Sequence, residues 1–190
     1  MKRRICVLPG VGFNSNTITY QRFASRLGKN LGCEALVHPW KHSWKVPVER
    51  DMTLDSWRQW LSEVILDVRQ VISNPQAILL PEADLYIGHS AGGALAWESG
   101  IDCVLMGSPL ALLEPFTEPR RFQNVLNIAH THDIIAHTLQ RGGENFLIKP
   151  RDLMQLSPIQ AHSSYWNDSR VEGKITQWAS QVFSGSCLKL

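Results

Sequence analysis

Residues 84–100 read "DLYIGHSAGGALAWESG", with a serine set between two glycines as Gly88-His89-Ser90-Ala91-Gly92. A serine hydroxyl is a weak nucleophile until a base takes its proton and hydrogen-bond donors hold the charge that forms on an attacked carbonyl. The stretch supplies the geometric half of that requirement. Leu85-Tyr86-Ile87 reads as a buried strand and Ala91 to Ser99 as a helix stopped by Gly100, so Ser90 falls at a sharp strand-to-helix turn. Gly88 and Gly92 remove the side chains that would crowd such a turn, and the first NH groups of the helix face the place where an oxyanion would form. The chemistry these residues suit is attack by Ser90 on an acyl carbon.

Such a nucleophile needs an imidazole and a carboxylate that orients it, in the order Ser, acid, His when they follow successive strands of one sheet. Asp133 follows the apolar run "NVLNIAH" within "THDIIAH", and His162 lies in "QAHSSYW" after "NFLIKP". Asp133 is assigned as the acid ahead of Asp102, at a strand start, and of Asp152 and Asp168, read as solvated. His162 is assigned as the base ahead of His130, His132 and His137. His89 is read as packing beside the turn, and His38 and His42 as ordinary loop or strand-end residues. "HTHDIIAH" could suggest a metal site, but His130 and His132 share a face only if the strand runs that far, and no second ligand motif accompanies them, so no metal is expected. One oxyanion donor is the NH of Ala91. The second is expected from "LPGVGFNSN", at Val11 or alternatively Phe13.

The elements that must position these groups are legible as short apolar runs separated by amphipathic stretches, the pattern of a parallel sheet with crossover helices. The runs are "ICVLPG", "EALVHPW", "DLYIGHS", "DCVLMGSP", "NVLNIAH" and "NFLIKP", which predict about six strands. Tyr20, Phe23, Ala24, Leu27 and Leu31 form one helical stripe before Gly32. Trp57, Trp60, Leu61, Val64, Val68 and Val71 form a second, with Thr53 as its N-cap, and Ile175, Trp178, Ala179 and Val182 a third before Ser184-Gly185. The aromatic residues of these stripes are read as core. With no repeat, linker or low-complexity tract, residues 1–190 are expected to form a single domain.

Composition narrows the function classes. The formal net charge is +2 with Lys and Arg scattered, which offers no footprint for nucleic acid. Lys2-Arg3-Arg4 precedes an apolar run that Pro9-Gly10 cuts too short for a signal peptide, and no segment is apolar for long enough to span a bilayer. Cys6, Cys33, Cys103 and Cys187 show no CxxC spacing, and a cytoplasmic location is expected.

From "CVLPGVG" through "GHSAGG" and "THDIIAH" to "HSSYW", the chain resembles the small, lidless, single-domain α/β-hydrolases, similar to bacterial minimal lipases and to serine hydrolases of the retinoblastoma-binding-protein type. The resemblance implies an α/β-hydrolase fold with helices on both faces of a mostly parallel sheet. It also implies an ester-cleaving enzyme that uses Ser90, Asp133 and His162 and no cofactor. The sequence departs from the family in one place, where Pro9-Gly10 stands for the usual His-Gly of the oxyanion loop. Only "PLALLEPFTEPRRFQ" separates two strands where larger lipases insert a lid, so an open cleft is expected, lined by Phe13, Leu110, Leu112, Leu113, Phe116 and Trp166 and suited to small-molecule esters with short acyl chains. An acyltransferase or thioesterase would use the same three residues, and a non-catalytic binding protein could retain the fold.

Overall fold

The computed structural model describes residues 2–10, 17–38, 79–109, 123–133, 143–151 and 158–185, with the isolated positions 59, 62, 63 and 66. Within them each of the six apolar runs forms a strand: β1 (Arg4–Leu8), β2 (Glu34–Val37), β3 (Leu85–His89), β4 (Cys103–Met106), β5 (Val125–His130) and β6 (Glu144–Ile148). They pair in the order β2-β1-β3-β4-β5-β6, every pair parallel. β3, β4 and β5 are buried along their whole length, which is why their sequences read as continuous apolar runs rather than alternating ones. β6 lies at one edge and is buried only at Ile148.

The pleat sends alternate residues into two cores. Ile5, Val7, Leu85, Ile87, Val104, Met106, Leu126 and Ile128 face one side, and Cys6, Leu8, Tyr86, Cys103, Leu105 and Val125 the other. The first side is covered by α1 (Thr17–Leu31) and α4 (Ser169–Phe183), the second by α2 (Ala91–Glu98). The stripe of α1 falls inward as its spacing requires, with Tyr20, Phe23, Ala24 and Leu27 buried. Its end is a Schellman turn: Gly32 takes a φ of +62°, its NH reaches Lys29 O, and the Cys33 NH reaches Gly28 O. Val171, Ile175, Trp178 and Ala179 bury the matching face of α4. The predicted Trp57–Val71 stripe lies outside the described residues, as does Thr53; Gln59, Ser62, Glu63 and Leu66 of that segment are helical.

One charged residue departs from its sequence reading. Asp168, expected to be solvated, is 6% exposed. It caps α4, accepting from the Arg170 NH at 2.9 Å, and its carboxylate also binds the Arg170 guanidinium with Arg151 nearby. Burial opposes the charge, but these donors and cations outweigh it and hold the carboxyl below its usual range.

The chain changes direction between β1 and β3, since β2 lies to one side of β1 and β3 to the other. Crevices at such a switch, beyond the carboxyl ends of the strands, are where parallel α/β sheets place ligands. At this end of β1 and β3 in the present chain, α2 is seated close against the strands. A Cβ on Gly88 would run into the Gly92 carbonyl, and one on Gly92 into the carbonyls of Leu8 and Pro9. Gly88→Ala is therefore expected to destabilise the protein by about 3 kcal/mol or more. Gly173→Ala, at an exposed helical position of α4 with open space around it, should stabilise by about 0.5–1 kcal/mol. Urea unfolding of both variants checks the contrast; equal effects would remove the steric account.

Candidate active site

Ser90 stands between β3 and α2, and among the described residues it is the one non-glycine with positive φ (φ 52°, ψ −125°). An L residue adopts this conformation at a cost of about 1–3 kcal/mol, and only when its surroundings fix it. They do so on both sides: the Ser90 NH donates to Met106 O at 2.9 Å, and the Gly93 NH donates to Ser90 O at 2.9 Å. Gly10, at the end of the β1 strand run, comes so close to the turn that a Cβ there would sit 2.8 Å from Ser90 Cβ. The turn read from GxSxG is thus present, with Ala91 as the first residue of α2.

Asp133 and His162, chosen from the sequence by their order alone, meet in space. Asp133 lies just past β5, is fully buried and has its Oδ2 2.9 Å from His162 Nδ1. His162 comes from α3 (Pro158–Ser163), and its side chain remains 12% exposed. The pair lies over the end of β4. There Gly107, at φ +58°, leaves the room it needs: a Cβ would fall 2.9 Å from Asp133 Oδ2 and 3.2 Å from His162 Nδ1. Because the carboxylate only accepts, His162 Nδ1 carries a proton in this pair and Nε2 is left to act as a base.

His89 packs beside the turn, as its sequence position suggests, and ties it to the helix that carries His162. Its ring centroid is 4.8 Å from that of His162, and its Nε2 is 2.7 Å from the His162 carbonyl. A carbonyl accepts, so the Nε2 of His89 is the protonated nitrogen. Complete burial, helped by the neighbouring His162, lowers its pKa from 6.5 to about 3, against the opposing pull of that hydrogen bond and of Asp133. His130, also fully buried, ends β5; burial lowers its pKa too, and its Nε2 meets the Ser164 hydroxyl at 3.0 Å. His132 sits beyond the strand end and is exposed, so His130 and His132 do not share a strand face.

Sequence reasoning missed Tyr165, whose hydroxyl binds Asp133 Oδ2 at 2.7 Å. It lies in a single 3₁₀ turn (Tyr165–Asn167). Trp166, its neighbour and the one described member of the expected pocket, is 4% exposed and packs edge-on against Tyr20 and Phe23. Val11, Phe13, Leu110, Leu112, Leu113 and Phe116 lie outside the described residues, as do His42, His137 and Asp152. Among the described residues no three His, Cys, Asp or Glu side chains converge as metal ligands would.

No family model matches the chain, and no curated protein matches its sequence. Solved structures do. A protein of unknown function from Agrobacterium tumefaciens, described as an α/β hydrolase, aligns over 96% of this chain and 87% of its own with a TM-score of 0.54 and 15% identity. A carboxylesterase from Mesorhizobium loti aligns over 95% of this chain and 89% of its own (TM-score 0.44, 14% identity), and one from Bacillus cereus over 93% and 87% (TM-score 0.41, 15% identity). The first match, with the six-stranded parallel sheet, identifies the fold as that of the α/β hydrolases.

The depressed pKa of His89 makes stability depend on pH in a definite direction. The unfolded chain takes up a proton near pH 6.5, whereas native His89 resists it down to about 3. Stability is therefore complete above pH 6.5 and falls below it by about 1.4 kcal/mol per pH unit for this group, with buried His130 acting in the same sense. Urea midpoints measured from pH 7.5 to pH 4.5 should show the fall. His89→Gln, which can still donate to the His162 carbonyl, should flatten it by about one proton's worth. An unchanged slope would mean that His89 titrates normally.

Proposed function

We propose that the protein is a serine hydrolase that cleaves carboxylic esters through an acyl-enzyme. The observation that carries this reading is the buried Asp133–His162 pair, 2.9 Å apart, on the same edge of the sheet as the strained turn bearing Ser90. In the proposed reaction His162 Nε2 removes the Ser90 proton as Oγ bonds to the ester carbon, and the carbonyl π electrons move onto oxygen. The NH of Ala91 and one from the loop after β1, at Val11 or Phe13, hold that oxyanion. Asp133 keeps Nδ1 protonated and stabilises the imidazolium. Collapse of the tetrahedral adduct breaks the bond to the alcohol, which takes its proton from His162. A water then repeats the sequence on the acyl-enzyme, releasing the acid and restoring Ser90. All the groups named belong to the chain, so the reading calls for no cofactor.

The substrate class rests on chain length around the site. Residues 109–123 span from the end of the β4 loop to the start of β5, too few for a large lid, which favours small esters with short acyl chains. Among the described residues no helix is long and apolar enough to cross a membrane. The buried free thiols of Cys6, Cys33 and Cys103 fit a reducing, cytoplasmic setting.

A fluorophosphonate probe should label the wild type and not Ser90→Ala. Asp133→Asn should retain the fold yet lower kcat on p-nitrophenyl acetate by about 10³–10⁴-fold. Intact labelling of Ser90→Ala would place the nucleophile elsewhere. In a p-nitrophenyl ester series kcat/KM should fall as the acyl chain lengthens, and a rise towards long chains would contradict the open, short-chain cleft.

A further inference from the structure

Two hydrogen bonds end on one carboxylate oxygen. Asp133 Oδ2 lies 2.9 Å from His162 Nδ1 and 2.7 Å from the Tyr165 hydroxyl. That hydroxyl lies 2.9 Å from the backbone N of His130. The amide can only donate, so the hydroxyl accepts from it and directs its single proton to Asp133. The direction of every bond in the chain from His130 NH through Tyr165 and Asp133 to His162 is thereby fixed.

We propose that Tyr165 is a positioning residue that sets the basicity of His162: its phenol proton shares the Oδ2 lone pairs with the imidazole and holds that oxygen in line with Nδ1. The inference rests on Ser90, Asp133 and His162 acting as described above. A carboxylate already engaged by a strong donor pulls less on a second proton, so the imidazolium gains less from it. The phenol cannot turn away, because Tyr165 is fully buried, with its ring edge-on to His130 at 5.0 Å and its Cε2 2.8 Å from where a Gly107 Cβ would stand. Nor does it lose its proton: burial, reinforced by the Asp133 charge, holds it well above the ordinary phenol range.

The other titratable groups around this chain have partners of their own. From β3, His89 is bonded to the His162 carbonyl. From β5, His130 meets Ser164, and exposed His132 meets the Thr131 hydroxyl. At the start of α4, Asp168 lies 3.9 Å from His130 Nε2 and is held by Arg170, with Arg151 3.7 Å away. The Tyr165 hydroxyl stands apart from these because it touches the acid directly.

Tyr165→Phe is the first test. Freed of the competing donor, Asp133 favours the imidazolium more strongly, so the acid limb of the kcat/KM profile should move up by about 0.5–1 pH unit while kcat falls several-fold as alignment is lost. The conservative counterpart is 3,5-difluorotyrosine placed at position 165, which keeps the hydroxyl and makes it a better donor; the limb should then move down. The same displacements should appear in the ¹⁵N NMR titration of the His162 ring in a Ser90→Ala background, which needs no turnover. If Tyr165→Phe does not fold, the difluorotyrosine protein decides. An unmoved limb and ring titration, or movement with both signs reversed, overturns the role of Tyr165. If the ring titration moves as stated while the wild type hydrolyses no ester, the coupling stands and the hydrolase reading fails.

Discussion

The site hangs on one backbone conformation. Ser90 holds a φ of 52° that an L side chain avoids, and the strain persists because the residues on either side have no freedom to relieve it. β3 is hydrogen-bonded to strands on both edges, so its end cannot shift, and α2 begins at the next residue. The seating of α2 follows from Gly88 and Gly92, which let main chain pass where any side chain would collide. Bulk at either position would force α2 away from the sheet, and the first turn of the helix would no longer bring its NH groups beside the serine.

A parallel sheet then does the rest of the positioning. All strands run the same way, so Ser90, Gly107 and Asp133 emerge beyond the ends of β3, β4 and β5 on a single edge. Ser90 and Asp133 are separated by the width of β4, and the His162 imidazole reaches Asp133 above that strand. It can do so because the residue at the end of the intervening strand is a glycine in the left-handed region, which opens the space above β4 where His162 Nδ1 and Asp133 Oδ2 meet. Gly107 therefore matters to the site as much as the glycines of the turn. Its contribution is empty volume.

What could be read from the chain beforehand follows from the range of the forces involved. Strands and helices such as β3 and α1 are written locally, in apolar runs and stripes, and the turn at Ser90 in its flanking glycines. Asp133 and His162 were found by order along the chain, because parallel strands convert sequence order into spatial order. Tyr165 escaped since its partners are 32 and 35 residues away, and nothing near it marks a tyrosine as buried and hydrogen-bonded. Asp168 escaped for a different reason. It was read as solvated, whereas it caps α4 and pairs with Arg170 in a buried setting that tertiary packing creates.

Three imidazoles crowd the site, and their surroundings give each a separate role. His89 is enclosed completely and bound through Nε2 to a carbonyl, so it is kept neutral and serves as a strut between the turn and α3. His130 is enclosed as well, and the Asp168 carboxylate 3.9 Å from it is paired with Arg170. His162 combines a carboxylate at hydrogen-bond distance with partial exposure. Burial keeps His89 uncharged 4.8 Å from the His162 ring, so His89 serves the fold without adding charge beside the Asp133–His162 pair.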